Sequence, residues 1–418
     1  MNTPIISDKP SIVFVGNYDI PMIGLSGGSR IFMELVRRWQ SKARLKVCAD
    51  EHTINAMVRY GISGVECHVI SPASQTPENI LHSPITLAKH AMTRTAIAVN
   101  YFRKNNSLIE DCDYVYSLSD FFPDLIPAYD VKKRFKRIKW IASYFLFAPS
   151  PWASESPYKG IQRFRGLLYW LMQQYTLSVV RRYADYVLVT SAPDVSRFVS
   201  GRIDSSRVIV VQGGVDVCPS KKYFSSNQVV QDKQKQYDAC FLGRFHYQKG
   251  VLDLIEIWKI VCKVKPDAQL AMIGVGPLEA EVRQKIDSYG LTKNVRLFGF
   301  LDGEPKYEVF KNSRLMLHPA TYDSGGMAAA EGMAWRLPGV SYDLDALKTY
   351  YPKGILKTKI GDLSDFAANI LKLLNDQALY SKLSNDAFAL IEEKWDWDKR
   401  ADVIFKSIFN DQMEHRIL

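Results

Sequence analysis

Cysteines are few and scattered in this chain: six occur in 418 residues, at positions 48, 67, 112, 218, 240 and 262. No two of them form a CxxC pair, so the sequence argues against a disulfide framework or a structural zinc site and favours a reducing compartment. Long apolar runs are also missing. The uncharged run 166–180 is interrupted by Gln173 and Gln174, whereas a membrane-spanning helix needs about 20 apolar residues.

Acidic residues are nearly absent from the window Val131–Arg182. This window holds eleven basic residues and a single acid, Glu155, so its charge of +10 equals the net charge of the whole chain. Aromatic residues are interleaved with the basic ones. Such a composition suits an anionic lipid surface, where each Lys or Arg contributes about 1 kcal/mol, or a single-stranded nucleic acid that stacks on aromatic rings. Alternatively, the aromatic residues form a core and the basic residues a solvated face.

Apolar runs rich in β-formers alternate with helix-period segments, which is typical of βαβ units and parallel sheets. A polar segment at 219–236 separates two such series and is predicted to be a linker. From Leu363 onward the chain is predicted to be largely helical. The pattern predicts two Rossmann-like domains with a cleft between them, in which ligands bind at the carboxyl ends of the strands. The predicted strands are Ile12–Val15, Leu45–Cys48, Val65–Ile70, Tyr114–Ser117, Ile138–Tyr144, Tyr186–Thr190, Val208–Val211, Tyr237–Leu242, Gln269–Ile273, Val295–Phe298, Leu315–His318, Gly339–Ser341 and Gly354–Leu356.

Two glycine-containing loops follow predicted strands. The loop 24–29 places Gly27 and Gly28 ahead of a helix, where backbone N–H groups can approach an anion; a flexible turn explains the same residues. The loop Gly243–Gly250 places Arg244 and Lys249 five residues apart. A guanidinium and an ammonium on one loop suit a diphosphate, and an ordinary surface charge pair is the alternative.

A third segment combines carboxylates with a glycine-flanked helix start. His318 is predicted only to end a strand; Asp323 lies in the following loop, and a glycine pair opens a small-residue helix that carries Glu331. Carboxylates accept hydrogen bonds from sugar or ribose hydroxyls, and the start of a helix offers free N–H groups to a phosphate. Alternatively, Glu331 is an ordinary residue on a helix surface.

These residues resemble the large group of retaining glycosyltransferases with GT-B architecture, glycosyltransferase family four or glycosyl transferases group 1. The likeness is dense over Tyr237–Ser341 and sparser over Met1–Asp216. Four segments carry it in the second half: Gly243–Gly250 is similar to the signature GR-x4-KG, Met272–Pro277 to a strand ending in G-x-G-P, Asn294–Leu301 to the segment nVrflGfl, and Asp323–Glu331 to the acidic-x7-Glu motif.

The resemblance implies an α/β fold of GT-B architecture: two Rossmann-like domains with a cleft between them and a C-terminal helix that crosses back to the first domain. It divides the chain into an acceptor domain at 1–218, completed by 396–418, a linker at 219–236 and a donor domain at 237–395. It also implies that no metal and no cofactor take part, and that the donor is a UDP-sugar or GDP-sugar. Transfer then proceeds with retention, by a front-face mechanism without a covalent enzyme intermediate.

Carried over by position, the resemblance assigns roles to single residues. Arg244 and Lys249 bind the donor diphosphate, Asp323 lies beside the donor sugar hydroxyls, and Glu331 holds the ribose. Gly27 and Gly28 face the phosphates from the other domain. The full set of implied donor contacts beyond the charged residues is Gly27, Gly28, Gly243, Gly274, Phe300, Leu301, Gly325, Gly326, Met327 and Ala328.

Three departures from the family pattern stand out. The first acid of the pair is Asp323, where the family usually has Glu, and the shorter side chain bears on sugar choice. Many members have a histidine late in the first domain, whereas no histidine falls between Ala91 and Phe245; Ser119 or Asp120 is the predicted substitute, and we list Asp120 among the catalytic candidates. Trp335-Arg336 stands where the family often has a small residue and Gly or Lys.

The sequence thus predicts a retaining, metal-independent hexosyltransferase that uses a nucleotide-diphosphate sugar and builds a lipid-linked or membrane-surface glycan. Because the basic window falls in the acceptor domain, we expect a cytoplasmic protein held at the inner face of an anionic membrane through 131–182, with nucleic acid less favoured. One alternative is a catalytically silent paralogue that serves as a membrane or nucleic-acid binding module. Another is a GT-B sugar-nucleotide epimerase, which the Asp323-x7-Glu331 spacing disfavours.

Overall fold

The computed structural model describes residues 9–18, 27–73, 83–153, 156, 158, 160, 162–200, 202–211, 213–226, 229–323 and 326–415. The chain forms two compact units. The first unit is Met1–Val211 together with Arg400–Leu418, and the second is Gln212–Lys399.

The first unit is built on a seven-stranded sheet in the order β3-β2-β1-β4-β5-β6-β7, and every neighbouring pair is parallel. Its elements in chain order are β1 Ser11–Gly16, α1 Gly27–Trp39, β2 Arg44–Asp50, α2 Glu51–Arg59, β3 Glu66–Ser71, α3 Pro84–Lys104, α4 Ser107–Glu110, β4 Tyr114–Ser117, α5 Phe122–Arg134, β5 Lys139–Tyr144, α6 Gln162–Tyr183, β6 Tyr186–Val189 and β7 Val208–Val210.

The second unit is built on a six-stranded parallel sheet in the order β10-β9-β8-β11-β12-β13. Its elements are α7 Cys218–Phe224, β8 Tyr237–Leu242, α8 Val251–Val264, β9 Leu270–Ile273, α9 Glu279–Ser288, β10 Val295–Leu297, α10 Glu304–Lys311, β11 Ser313–His318, α11 Met327–Met333, β12 Gly339–Tyr342, α12 Asp345–Tyr350, β13 Ile355–Thr358, α13 Leu363–Asn375 and α14 Gln377–Lys394. A last helix, α15 Trp397–His415, begins in this unit and continues into the first.

Burial explains why these strands read as continuous apolar runs. All six residues of β1 and all four of β9 are buried, as expected for parallel strands that helices cover on both faces. The covering helices show the complementary pattern. In α8 the buried positions Leu254, Trp258 and Val261 recur at helical spacing, which gives the helix one apolar face against the sheet. The thirteen predicted strands are all present, and the helical stretch after residue 362 begins at Leu363 as predicted.

The segment 219–236 differs from its prediction as a simple linker. Helix α7 begins at Cys218, with proline at its second position, and the Tyr223 ring lies 5.6 Å from the ring of Trp335 in the core of the second unit. The second unit therefore begins at residue 212 and not at 237. The polar composition conceals the two aromatic residues, Tyr223 and Phe224, that tie this helix to its unit.

The unusual pair Trp335-Arg336 has a structural explanation. Arg336 has a φ of 60°, in the left-handed region that glycine adopts most easily. Its guanidinium lies 4.7 Å from the ring centroid of Phe224 and 4.8 Å from that of Phe388. These cation–π contacts offset part of the cost of the strained backbone, so arginine is accommodated where the family often has glycine.

The terminal helix α15 contributes to the core of the first unit. The indole Nε1 of Trp39 donates a hydrogen bond of 3.0 Å to the carbonyl of Ala401, and the Trp39 ring meets Phe405 and Phe409 edge-on. The predicted return of the C-terminal helix to the first domain is thus confirmed. Within the described residues, every helix is too short or too polar to span a bilayer.

Candidate donor site at the edge of the second sheet

The predicted donor motifs meet at one edge of the second unit. Strands β10, β9, β8 and β11 are adjacent and parallel, so the loops after them emerge side by side. Backbone hydrogen bonds join these loops directly: Phe245 N to Val275 O at 2.9 Å, Gly274 N to Gly299 O at 2.8 Å, and Thr321 N to Gln248 O at 3.1 Å. Four motifs that are distant in sequence therefore form one continuous surface.

Two glycines permit this close approach of the loops. Gly250 has a φ of 64°, and a Cβ there would lie 1.9 Å from the carbonyl oxygen of Pro319. At Gly274, with a φ of 143°, a Cβ would lie 1.9 Å from the carbonyl oxygen of Gly243. Any larger residue would force these loops apart. The glycine of the G-x-G-P segment is thus explained by packing, and its predicted donor contact stays a prediction.

Asp323 is the centre of the charged group. Its Oδ2 lies 2.5 Å from Lys249 Nζ and 3.2 Å from His318 Nε2. Burial would raise the pKa of this carboxyl, but the lysine charge and the imidazole hold it well below its usual range. Asp323 is therefore ionised at neutral pH. His318, predicted only to end a strand, is almost fully buried beside it.

The start of α11 is fixed by a buried tyrosine that no local sequence pattern indicates. The Tyr351 hydroxyl donates to the carbonyl of Gly326 at 2.5 Å and accepts from Ala330 N at 3.1 Å. Burial, together with the Asp323 charge, raises the Tyr351 pKa well above its usual value, so the hydroxyl keeps its proton. Gly326 N itself donates to Asp323 Oδ1 at 3.2 Å.

Three residues predicted to contact the donor through their backbone lie at the start of α11: Gly326 precedes the helix in the left-handed conformation, and Met327 and Ala328 are its first residues. Their contact with the donor stays a prediction. Gly325 lies outside the described residues.

Glu331 is held by a lysine that sequence reasoning missed. Lys306 Nζ lies 2.6 Å from Glu331 Oε2 and 2.8 Å from Asp302 Oδ1, and its side chain is only 5% exposed. Burial would lower the pKa of Lys306, but the two carboxylates raise it, so the ammonium stays charged. Glu331 keeps about a quarter of its side chain exposed. It is therefore a positioned carboxylate with access to solvent, unlike an ordinary surface residue.

Arg244 is the cation of the predicted phosphate-binding pair that is not neutralised by a described acidic residue. Among the described residues its guanidinium has no hydrogen-bond or ion-pair partner, and the side chain is exposed. Partial burial of the guanidinium nevertheless lowers its pKa. Gly243 precedes it at the end of β8. On the loop after β10, the Phe300 ring is half-exposed and Leu301 is partly buried.

In the first unit, the predicted substitutes for the family histidine occupy separate hydrogen-bond networks. Ser119 donates to Asp124 Oδ2 at 2.5 Å, and Asp124 Oδ1 accepts from the backbone N–H groups of Asn17 and Tyr18 at 2.7 and 2.8 Å. Ser119 is thus committed to Asp124. Asp120 accepts from Gln173 Nε2 at 2.8 Å.

Both carboxyls of this region have raised pKa values. Burial raises the pKa of Asp120 to about 6 and that of Asp124 to about 7, despite the hydrogen bonds that favour the ionised forms. Asp120 is therefore able to change its protonation near neutral pH, and its catalytic role stays a prediction. Gly27 and Gly28 are the first residues of α1; their predicted contact with the donor phosphates likewise stays a prediction.

The basic window divides into two parts. In its first part the charges serve the fold: Lys132 Nζ lies 2.7 Å from Asp185 Oδ2, Arg134 Nε lies 2.9 Å from Asp130 Oδ2, and Arg137 donates to two backbone carbonyls. Trp140 and Tyr144 are buried, as the core interpretation predicts, whereas Trp152, Phe164 and Tyr175 are largely exposed. The core interpretation thus holds for the buried residues, and the predicted membrane contact of the window stays a prediction.

The described residues offer no cluster of three His, Cys, Asp or Glu side chains that could hold a metal ion. Asp345, the second acid of the segment Asp343-Leu344-Asp345, pairs with Lys348 at 2.8 Å.

Residues 224–389 match the family model of the glycosyl transferases group 1. This range contains every predicted donor residue from Gly243 to Glu331. Together with the solved structures of the same architecture, the match confirms the resemblance to the GT-B glycosyltransferases. Retention and membership of family four stay predictions.

Similar proteins occur in archaea, bacteria and yeasts. An uncharacterized glycosyltransferase of Methanocaldococcus jannaschii is 25% identical over 179 residues, 41% of this chain and 44% of that protein. The poly(glycerol-phosphate) alpha-glucosyltransferase of Bacillus subtilis is 24% identical over 169 residues, 40% of this chain and 25% of that protein. The chain thus spans less than half the length of these curated relatives. The structure of Anabaena Alr3699/HepE in complex with UDP and glucose has a TM-score of 0.65 at 14% identity, covering 95% of this chain and 98% of that one.

Proposed function

We propose that this protein transfers a hexose-type sugar, with retention, from a nucleoside-diphosphate sugar to an acceptor glycan that is lipid-linked or presented at a membrane surface. The observation that carries the proposal is the uncommitted Arg244 guanidinium on the same loop as Lys249, whose ammonium is paired with the buried Asp323. A similar fold binds UDP and glucose in Anabaena HepE, and a relative in Bacillus subtilis is a glucosyltransferase.

Arg244 and Lys249 are suited to a diphosphate in different ways. The planar guanidinium binds two phosphate oxygens at once, and the ammonium acts as a point charge. The ion pair with Asp323 holds the Lys249 ammonium in place before the donor arrives. Because Asp323 stays ionised, it is a hydrogen-bond acceptor, and in this proposal it accepts from hydroxyls of the donor sugar.

The reaction requires the acceptor oxygen to form a bond to the anomeric carbon while the bond from that carbon to the β-phosphate oxygen breaks. The departing nucleoside diphosphate gains negative charge, and it takes the proton of the acceptor hydroxyl on the same face. Positive groups fixed in advance at that oxygen stabilise the transition state; removing one such group costs about 10²–10³ in rate. Arg244 and Lys249 fill this role in the proposal.

Glu331 is suited to the ribose. A carboxylate accepts hydrogen bonds from two neighbouring hydroxyls, and Lys306 occupies Oε2 from the protein side. The exposed part of the carboxylate is thereby left for the nucleoside. The half-exposed Phe300 on the adjacent loop adds an apolar surface of the kind on which a base stacks.

The test is a panel of UDP- and GDP-sugars offered to the wild type and to Arg244→Ala, with Arg283→Ala as a matched control. Arg283 is an exposed arginine of the same unit that pairs with Glu279 on α9. Losing a charge-assisted hydrogen bond weakens nucleoside-diphosphate binding about 10- to 100-fold in Arg244→Ala, and the control binds normally. Equal affinity of both variants contradicts the proposed site.

Retention is tested separately, by the anomeric configuration of the product in an NMR spectrum taken early in the reaction. An inverted product contradicts the mechanism and leaves the donor site intact. Donor binding without turnover on any acceptor would instead favour the silent paralogue.

A further inference from the structure

Two helices of the first unit, α3 and α6, share an apolar surface. A groove of ≈ 540 Å³ is lined by Ile85, Ala88, Lys89, Met92, Thr93 and Leu168. A second groove of ≈ 580 Å³ shares Met92 and continues along α3 to Val99, with Phe122 and Tyr175 on its other side. The shared methionine makes the two grooves contiguous. We call this surface, with the neighbouring Phe164 and Leu171 of α6, the α3–α6 face.

Large side chains on this face remain open to solvent. Ile85 is 81% exposed, and Met92 and Phe164 are each 66% exposed. On α3 the residues Ile85, Met92 and Val99 recur every seven positions, so they form one stripe about 21 Å long at 1.5 Å per residue. Contiguous apolar surface of this kind marks a protein or membrane interaction site.

The charged residues of the two helices have one sign. Neither α3 nor α6 contains an Asp or Glu, and each carries four basic residues. Lys89 and Arg163 are exposed, and neither has an ion-pair partner within the described part of the chain. Among the described acids that contact these helices, Asp120 is buried and accepts from Gln173 of α6, and Asp130 of α5 is paired with Arg103 and Arg134.

The basic charge of the two helices indicates which of two partners, a second copy of the chain or a bilayer, binds the α3–α6 face. A second copy of the chain bound through the same face would, by two-fold symmetry, set basic residues against basic residues. An anionic bilayer supplies the complementary charge and an apolar layer for the exposed side chains, which is how interfacial helices bind.

We propose that the α3–α6 face docks on a bilayer surface rich in anionic lipid. This inference deepens the proposed function, on which it rests, by naming the surface that brings the first unit to a membrane-borne acceptor. It also moves the membrane contact away from the stretch 132–139, whose Lys132, Arg134 and Arg137 are committed to the fold.

The experiment is co-flotation with vesicles of equal parts phosphatidylcholine and phosphatidylglycerol, compared with vesicles of phosphatidylcholine alone. We expect the wild type to float with the anionic vesicles and only weakly with the neutral ones. The variant Met92→Ser/Phe164→Ser loses binding at least ten-fold because its insertion surface is removed. Lys89→Gln weakens partition about five-fold by removing one charge.

A matched control is Val58→Ser/Val264→Ser, at residues that are 69% and 67% exposed but lie on other helices; it keeps full binding. Thermal unfolding midpoints of both double variants verify that they fold. Equal flotation of Met92→Ser/Phe164→Ser and the wild type overturns the proposal, as does absence of the wild type from anionic vesicles. A wild-type dimer in light scattering that this variant abolishes also overturns it, in favour of an interface between copies.

Flotation needs no turnover, so the two proposals fail separately. If the protein transfers sugar to a soluble acceptor but does not float with the vesicles, only the α3–α6 proposal is contradicted. If the protein floats with the vesicles but binds no nucleotide sugar, the proposed function is contradicted, and the α3–α6 face is still a membrane-docking surface.

Discussion

The ammonium of Lys306 lies 2.6 Å from Glu331 Oε2, although the two residues stand on different helices and 25 positions apart. This pairing turns a helix carboxylate into a fixed group. It also places a lysine with a 5% exposed side chain in the interior of the second unit, where its charge is tolerated only because two carboxylates surround it.

Lys306→Met tests this pairing. The variant leaves Glu331 and Asp302 without their cation, and since both acids are partly exposed, we expect a loss of about 1–3 kcal/mol of unfolding free energy, less than for a fully buried pair. Urea unfolding measures it. Lys348→Met is the control, because its pair with Asp345 is exposed and such pairs contribute about 0–1 kcal/mol. Equal losses in the two variants contradict a special role for Lys306.

Lys249→Met tests the charge balance at Asp323. In the wild type the depressed pKa of Asp323 contributes stability that is present above the unfolded pKa of about 3.9 and is lost as the pH falls through the lower folded value. Without the lysine charge, burial raises that pKa. The variant is therefore less stable at neutral pH by about 3 kcal/mol, and the deficit shrinks towards pH 4. A deficit independent of pH, measured by urea unfolding, would rule out this explanation.

Asp124→Asn tests the buried carboxyl of the first unit. Its folded pKa of about 7 lies above the unfolded value of about 3.9. The folded state thus holds a proton that the unfolded state releases, and Asp124 contributes a fall in wild-type stability of about 1.4 kcal/mol per pH unit between about pH 4 and pH 7. Asn does not titrate, so the unfolding free energy of the variant falls less steeply with pH in this range, by about 1.4 kcal/mol per pH unit. Urea unfolding at several pH values measures this slope.

Ser119→Ala provides the opposite change at the same carboxyl. The Ser119 hydroxyl donates to the ionised form of Asp124, so its removal raises the Asp124 pKa further and extends the fall in stability to higher pH. Unchanged pH profiles in both variants mean that Asp124 does not titrate in this range.

Gly250→Ala tests the contact between the loop of Lys249 and the loop of Asp323. The new Cβ would meet the carbonyl of Pro319 at 1.9 Å, in addition to the cost of a left-handed alanine. Gly290→Ala isolates the backbone cost, because Gly290 has a φ of 68° and open space around it. We expect about 1–2 kcal/mol for Gly290→Ala and at least about 2 kcal/mol more for Gly250→Ala, measured by urea unfolding. Equal costs contradict the close approach.

Sequence patterns predict the strands of this fold but only part of its candidate site. Each buried strand is an apolar run between turn residues, which is why Tyr114–Ser117 and Tyr237–Leu242 are predicted to the residue. The loop motifs are local too, so Arg244, Lys249 and Asp323 are found together at one sheet edge as expected.

Other features depend on contacts that no local pattern encodes. Lys306 looks like an ordinary lysine on a short helix, because its partner Glu331 follows two elements later. From the sequence, Tyr351 is predicted to be an ordinary aromatic residue of the core. Only the fold shows that its hydroxyl lies at the start of α11. The polar segment 219–236 conceals α7 because two aromatic residues anchor it among many polar ones.

The terminal helix has a consequence for biosynthesis. Trp39 packs against Phe405 and Phe409. The hydrophobic core of the first unit therefore contains residues that the ribosome makes only after the whole second unit. The second unit is in effect an insertion, continuous in sequence, between the two segments that form the first unit. Vectorial synthesis normally favours folding of the N-terminal domain first; this connectivity delays completion of the N-terminal core until residues 400–409 have left the exit tunnel.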